Sequence, residues 1–354
     1  MSEISEIYFM RYQRVFINKI AYELPKEKVA TSFLEEQLTD VYQELGIPLG
    51  QVEALTKIHQ RRYWPVDHQL SDHAALAAKK AIKESGINSK KIQVLIYAGV
   101  GRAQLEPATA CAVAHQLAIA SDASVYDVSN ACLGVLNGII QIANAIELGQ
   151  IHAGLVVSAE SCREIIDTMV AEMKIQRNIE HFALSLATLT GGSGAVAVLL
   201  SDNALDSSHQ LLGAVARQKS QWHQLCRWGS KTGILGNACN IMHTDSVSVL
   251  KYGVELGVET YKDFLQELLW QDSFPDKYIC HQVGEANQLA IRRALNIPKE
   301  RDFTTYETLA NTGTVALPMT AAIADQVGFL KTGDKVAFLG IGSGLNCMML
   351  GIKW

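Results

Sequence analysis

No two cysteines of this 354-residue chain stand in a Cys-x-x-Cys spacing, which argues against a cysteine zinc site. No apolar run approaches membrane-spanning length. Basic charge is in short supply: 31 Lys and Arg face 36 Asp and Glu, a net charge of −5, so no bulk positive surface is on offer to nucleic acid. The opening Met1-Ser2-Glu3-Ile4-Ser5-Glu6 is acidic where a secretory leader would be basic. Seven cysteines, an odd number without regular spacing, read as free thiols of a reducing compartment, and a cytoplasmic location is expected. What remains is ordinary globular material, 48% hydrophobic and 19% charged, long enough for a large core and two domains.

Within that background one cysteine has an unusual setting. Cys132 lies in Ser129-Asn130-Ala131-Cys132-Leu133-Gly134. Before it, Ala123-Ser124-Val125-Tyr126-Asp127-Val128 alternates as a strand; after it, residues 135–146 carry apolar side chains at the spacing of a buried helix. A sulfur on the turn into a helix faces unpaired N–H groups and the positive end of the dipole, and both favour the thiolate. A small buried thiol is the commoner reading of a lone cysteine. Two later segments argue against it here. Tyr278-Ile279-Cys280-His281-Gln282-Val283-Gly284 reads as a strand end leading to a helix, and Asn311-Thr312-Gly313-Thr314 follows Tyr306-to-Ala310.

With Cys, His-Gln and Asn-Thr-Gly in that order, the chain resembles the condensing enzymes of the thiolase superfamily, most of all the β-ketoacyl-carrier-protein synthase III branch. The match extends over nearly the whole chain. The resemblance implies an α/β thiolase fold: two pseudo-duplicated halves in a layered α-β-α-β-α sandwich, with the active site between them. Cys132 would be the nucleophile, and His281 and Asn311 the donors to a second thioester.

An internal repeat of about half the chain agrees. Strand-like Lys91–Ala98 is answered by Lys277–His281, Tyr126–Cys132 by Tyr306–Gly313, and Ala153–Ser158 by Lys335–Gly340. Alternating strands and helices of this length predict parallel sheets covered by helices. The most linker-like stretch, Ser201-to-Ser208, sets the expected boundary: residues 1–205 hold the cysteine, residues 206–354 the histidine and asparagine.

Other segments read as scaffold or substrate path. Ser71–Ile82 predicts an amphipathic helix stopped by Gly86, with His73 part of its packing. Thr190-Gly191-Gly192-Ser193-Gly194 lacks phosphate-loop spacing and is similar to the family's glycine turn near the site. Gly340-Ile341-Gly342-Ser343-Gly344 is similar to a second such turn; the resemblance puts an oxyanion-hole N–H on Gly344, or on Ser343 one residue earlier. Arg61, Arg62 and Arg227 are open candidates for holding coenzyme A.

The chemistry that the resemblance implies is a Claisen condensation. An acyl group moves from a thioester to Cys132, a second thioester becomes a carbon nucleophile, and no metal or redox cofactor is required. The substrates are fatty acyl thioesters on coenzyme A or on an acyl carrier protein. Malonyl thioesters lose CO₂ and need no base, whereas ordinary acyl thioesters must be deprotonated. Gln104-Leu105-Glu106-Pro107 resembles the loop of the head-to-head condensing enzymes of long-chain olefin biosynthesis, in which a glutamate crosses a homodimer interface to act as the base. Gln221-to-Arg227, His243-Thr244-Asp245 and the ending Leu339-to-Cys347 share that similarity. An Asp-Glu-Trp segment typical of initiating synthases is absent, and His281-Gln282-Val283-Gly284 replaces their His-Gln-Ala-Asn. Non-decarboxylative condensation of two acyl-CoAs is therefore expected. The alternatives are decarboxylative extension by a malonyl thioester, acyl transfer to an alcohol or amine, and a non-catalytic dimer, against which the intact triad argues.

Overall fold

The computed structural model describes residues 10–205, 208–229, 241–271 and 274–354. Its strands in the first half are β1 Met10–Arg11, β2 Phe16–Glu23, β3 Glu27–Ala30, β4 Gln60–Tyr63, β5 Val94–Tyr97, β6 Ser124–Asp127, β7 Ala153–Glu160 and β8 Gly194–Ser201. The second half adds β9 His209–Gln218, β10 Cys226–Gly229, β11 Ile241–Thr244, β12 Lys277–Cys280, β13 Lys335–Gly342 and β14 Asn346–Lys353. The pairs β3–β4 and β10–β11 stand apart; the rest follow one path, β6-β5-β7-β8-β2-β9-β14-β13-β12, with β1 added on β9. Read outward from the middle, that path is two like sheets. Strand β2 of one meets strand β9 of the other, with Phe16 opposite Gln210 and Ile17 opposite His209.

Side-chain alternation builds the layers, because successive residues of a strand face opposite sides. Ile96, Val156, Val198 and Leu200 face the same cluster as Val336, Phe338, Met348 and Leu350 from the other half. Between them lie the helices Gly134–Glu147 and Ala316–Gln326. The intervening residues Leu95, Tyr97, Leu155 and Val157 turn outward onto the helices Leu70–Ser85 and Thr109–Gln116. Ala337, Leu339, Cys347 and Met349 do the same against Ser246–Glu267 and Glu285–Leu295. The order is helix, sheet, helix, sheet, helix, as expected. The middle helix packs tightly: a Cβ on Gly138 would lie 2.7 Å from Val156 Cγ1.

The sheets are mixed rather than all parallel. β5 runs parallel to β6 and β7, but β8 opposes β7, and β14 opposes β13. A short turn from Gly342 to Asn346 permits only an antiparallel return, since a parallel one needs a crossover. The repeat also fails at one point. Where β6 has a counterpart in sequence, Tyr306–Leu309 is a helical turn, and only Asp302 bridges Tyr278. Gln282 is the cause: its buried Oε1 accepts the N–H groups of Thr305 (2.8 Å) and Tyr306 (3.2 Å), drawing that segment off the strand path. The first strand of the repeat is also shorter than read, Val94–Tyr97. The helix read at 71–82 runs Leu70–Ser85 and ends at Gly86 with φ +72°. The half-chain boundary at 205/206 abuts residues 206–207, which lie outside the described residues.

Candidate active site

Cys132 stands on the turn between β6 and the central helix. Ala131, just before it, has φ +44°, a left-handed conformation unfavourable for a residue with a Cβ. The turn closes with Leu133 N–H donating to the Asn130 carbonyl at 2.8 Å. The second half completes it: the Thr314 hydroxyl oxygen accepts the Val135 N–H at 2.7 Å, satisfying a donor of the helix's first turn. A Cβ on Gly342 would come within 3.5 Å of Cys132 Cβ, so the C-terminal glycine turn packs against Cys132. Asn346 donates to Asn130 Oδ1 (3.1 Å) and Asn130 to Asn137 Oδ1 (2.8 Å), tying the two turns together.

The resting sulfur is a thiol. Burial pushes Cys132 up to about 12, with Cys226 and Glu160 adding to the rise, while the N–H groups of Cys132 and Ser343 pull the other way. The expectation of a ready thiolate is thereby corrected: loss of water around the sulfur outweighs the helix terminus. The residue still keeps partial exposure, through the cavity it lines.

His281 follows the end of β12, its N–H bonded to the Leu339 carbonyl at 2.9 Å. Neither ring nitrogen has a partner, although both are buried. Burial lowers its pKa to about 4, so at neutral pH the ring is an uncharged imidazole with one N–H to give. Asn311 is fixed through its backbone: its N–H donates to Thr190 (2.9 Å) and its carbonyl accepts from Gly192 (2.8 Å). Its Oδ1 accepts the Gly313 N–H at 3.1 Å, which leaves Nδ2 as the donor for a ligand. The Thr190–Gly194 turn is thus a support for Asn311. At Gly192 a Cβ would lie 2.1 Å from the Leu309 carbonyl, so only glycine fits.

Cys132, His281 and Asn311 line one cavity of about 170 Å³, walled by Val249, Leu250, Val254, Ile291 and Met349. A second, wider cavity of about 430 Å³ shares Cys132, Thr190, Cys226, Met242, Asn311 and Ser343 with it. Cys132 therefore sits where two spaces meet. Ser343 lines both, and Gly344, with φ +138°, lines neither. Glu106 also lies apart: it is exposed and lines neither space.

The arginines divide. Arg61 is wholly buried; its guanidinium donates to the carbonyls of Leu189 and Gly191 and to Thr31 Oγ1, so it braces the turn behind Asn311 and cannot meet coenzyme A. Arg62 donates to the Pro25 carbonyl, while Arg227 is exposed beside Trp228 at the wider cavity. His73 stacks on Trp64 with ring centres 3.5 Å apart, a packing role. Four contributions were missed in the sequence: Glu160 and Cys226 in the cavity walls, Thr314 on the helix, and Gln282 as a clamp. A usable signal existed for Glu160, a carboxylate closing an otherwise uncharged eight-residue strand. The six cysteines among the described residues are free, as expected.

Residues 53–209 match the family model of the thiolase N-terminal domain. Residues 265–354 match that of the 3-oxoacyl-[acyl-carrier-protein] synthase III C-terminal domain. The chain is 54% identical over 349 residues to the acyl-CoA:acyl-CoA alkyltransferase of Shewanella oneidensis, covering 98% of this chain and 100% of that one. The enzyme of the same name from Xanthomonas campestris is 33% identical, with coverage of 98% and 100%. This chain belongs to the acyl-CoA:acyl-CoA alkyltransferase family. A crystal structure of Xanthomonas campestris OleA with cerulenin bound superposes with a TM-score of 0.91 at 32% identity, covering 98% of each chain. The family's thiolase fold and its character as an acyl-transferring condensing enzyme thus extend to this chain.

Proposed function

We propose that the protein condenses two fatty acyl-CoA molecules head to head, without loss of CO₂, to a β-keto acid or its thioester. The observation that carries this reading is the meeting of two cavities at Cys132, with His281 and Asn311 beside it. In the first step the Cys132 sulfur bonds to the acyl carbon, the bond to coenzyme A breaks, and the thiol proton leaves with the coenzyme A sulfur. The N–H groups of Cys132 and Ser343 serve the oxyanion; Ser343 is preferred to Gly344 because it lines both cavities with Cys132 and Gly344 lines neither. In the second step Glu106 of the partner subunit takes a proton from the carbon next to the second thioester. The enolate oxygen receives hydrogen bonds from the neutral His281 ring and Asn311 Nδ2. Its carbon then bonds to the acyl carbon on Cys132, and the cysteine departs and regains a proton.

The names of the two curated relatives support coenzyme A rather than a carrier protein as the thiol. The exposed position of Glu106 supports a homodimer, since within one chain it lines neither cavity at Cys132. A cytoplasmic location fits the free thiols; among the described residues no helix is long and apolar enough to cross a membrane. Mass spectrometry of products formed from long-chain acyl-CoA alone tests the reading. A β-keto product is expected, and a product formed only after malonyl thioester is added would favour decarboxylative extension instead.

A further inference from the structure

The cleft contains a buried carboxyl that the condensation just described leaves idle. Glu160 ends β7, is 6% exposed, and lines the wider cavity with Cys132. Its Oε1 accepts the Val100 N–H at 2.9 Å and its Oε2 the Gly101 N–H at 3.2 Å. The Tyr97 hydroxyl bonds to the carbonyls of Gly101 (2.8 Å) and Ala159 (2.9 Å), drawing the same two segments together. Beyond Gly101 the chain is next anchored at Thr109 and Ala110, whose N–H groups donate to Asp127 at the end of β6 (2.8 and 2.9 Å). The chain between these two carboxylate anchors is exposed from Arg102 to Pro107, and Glu106 stands on it.

We propose that Glu160 is a positioning residue: by holding Val100 and Gly101 it sets where the Glu106 arch stands, and so governs carbanion formation without touching substrate. This rests on the reading of Glu106 as the base that serves the partner's cleft. Both oxygens of Glu160 are used as acceptors. A glutamine has one acceptor and one NH₂, and the NH₂ would meet a backbone N–H head-on. The isosteric change therefore releases one side of the anchor while keeping its volume.

Protonation acts on the same contacts. Burial raises the Glu160 carboxyl to about 7, against the opposing pull of the two N–H bonds. The titratable groups nearest it are Tyr97 from β5 and Cys132 from the turn, both uncharged at neutral pH because burial holds their values high, while Cys162, Cys226 and the exposed Arg227 line the same cavity. The 311–313 segment packed against it brings no charge. The two-acceptor anchor is thus complete above about pH 7 and weakens below it. The stability sign is opposite. Because the folded value lies above the ordinary 4.5, the ionised form costs folding free energy, and that cost appears as pH rises from 4.5 to about 7. Glu160→Gln should then be no less stable than wild type at pH 8, yet condense worse.

The test measures Cys132 acylation, condensation and thermal unfolding from pH 6 to 9 for wild type, Glu160→Gln and Glu106→Gln, with long-chain acyl-CoA as probe. Glu160→Gln is expected to acylate within a few-fold of wild type. Its condensation should fall by about 10- to 100-fold, and the pH limb near 7 should disappear. Wild-type condensation with the limb intact in Glu160→Gln, while Glu106→Gln is inactive, overturns the positioning role alone. Unimpaired condensation by Glu106→Gln overturns the base assignment and this inference with it. Loss of both half-reactions together with a lower unfolding temperature at pH 8 would make Glu160 merely structural; Glu160→Asp, which keeps two acceptors on a shorter stem, checks that case by partial recovery of condensation.

Discussion

Cys132, His281 and Asn311 reach one cavity from three different elements; His281 is held by the Leu339 carbonyl of its own half, and the turns carrying Cys132 and Asn311 by neighbours from the opposite half. Glu106 stands on an exposed arch that borders no part of that cavity. The first region gathers within a single chain, and the second lies outside both cavities. Burial makes the first region chemically quiet at rest, with a thiol raised to about 12 and an imidazole lowered to about 4. In the proposed mechanism acyl transfer needs only what one subunit carries, whereas carbanion formation draws on Glu106 of the partner subunit.

Substitutions can break this comparison in order of effect. Cys132→Ala should abolish both half-reactions, read as loss of the acyl mass on the cysteine peptide and of all β-keto product. Glu106→Gln should acylate normally, while condensation drops by on the order of 10²–10⁴, the usual worth of a general base. His281→Ala and Asn311→Ala should each lower condensation by about 10²–10³, the cost of one oxyanion donor, with acylation still measurable by single-turnover mass spectrometry. Loss of acylation in a folded His281→Ala would instead make His281 the base for the thiol. Smallest is Thr314→Val, which removes the acceptor of the Val135 N–H and should lower stability by about 1 kcal/mol in urea unfolding. If that variant also loses acylation, the turn around Cys132 depends on the cross-half contact for its geometry as well as its stability.

The sequence made the triad legible because each member sits where a periodic segment ends, at a strand-to-turn or turn-to-helix junction. The layered fold was legible through the alternation of strand-like and helix-like segments and its repetition in the second half; that neighbours within a run such as Val94–Tyr97 face different clusters shows only in the structure. Strand direction was not, because an apolar run carries no mark of which way it runs. The lost strand at Tyr306–Leu309 could not be seen either: it depends on Gln282 reaching more than twenty residues along the chain to take two N–H groups. Arg61 looked like a ligand-binding arginine because sequence does not report burial. Glu160 was passed over for the same reason, since a glutamate after an apolar strand usually points to water. The thiolate expectation weighed the helix terminus without the desolvation that defeats it.

If one catalytic centre is assembled from two chains, mixing differently disabled subunits should restore it. Glu106→Gln and Cys132→Ala homodimers, each inactive in condensation, are exchanged to equilibrium and supplied with long-chain acyl-CoA. A heterodimer then has one cleft with an intact cysteine facing an intact glutamate, and β-keto product should appear at up to about a quarter of the wild-type rate, since random exchange makes half of the dimers mixed and each has one working site of two. No product from the mixture, with subunit exchange verified and the Cys132 of the Glu106→Gln chains acylated, would contradict it.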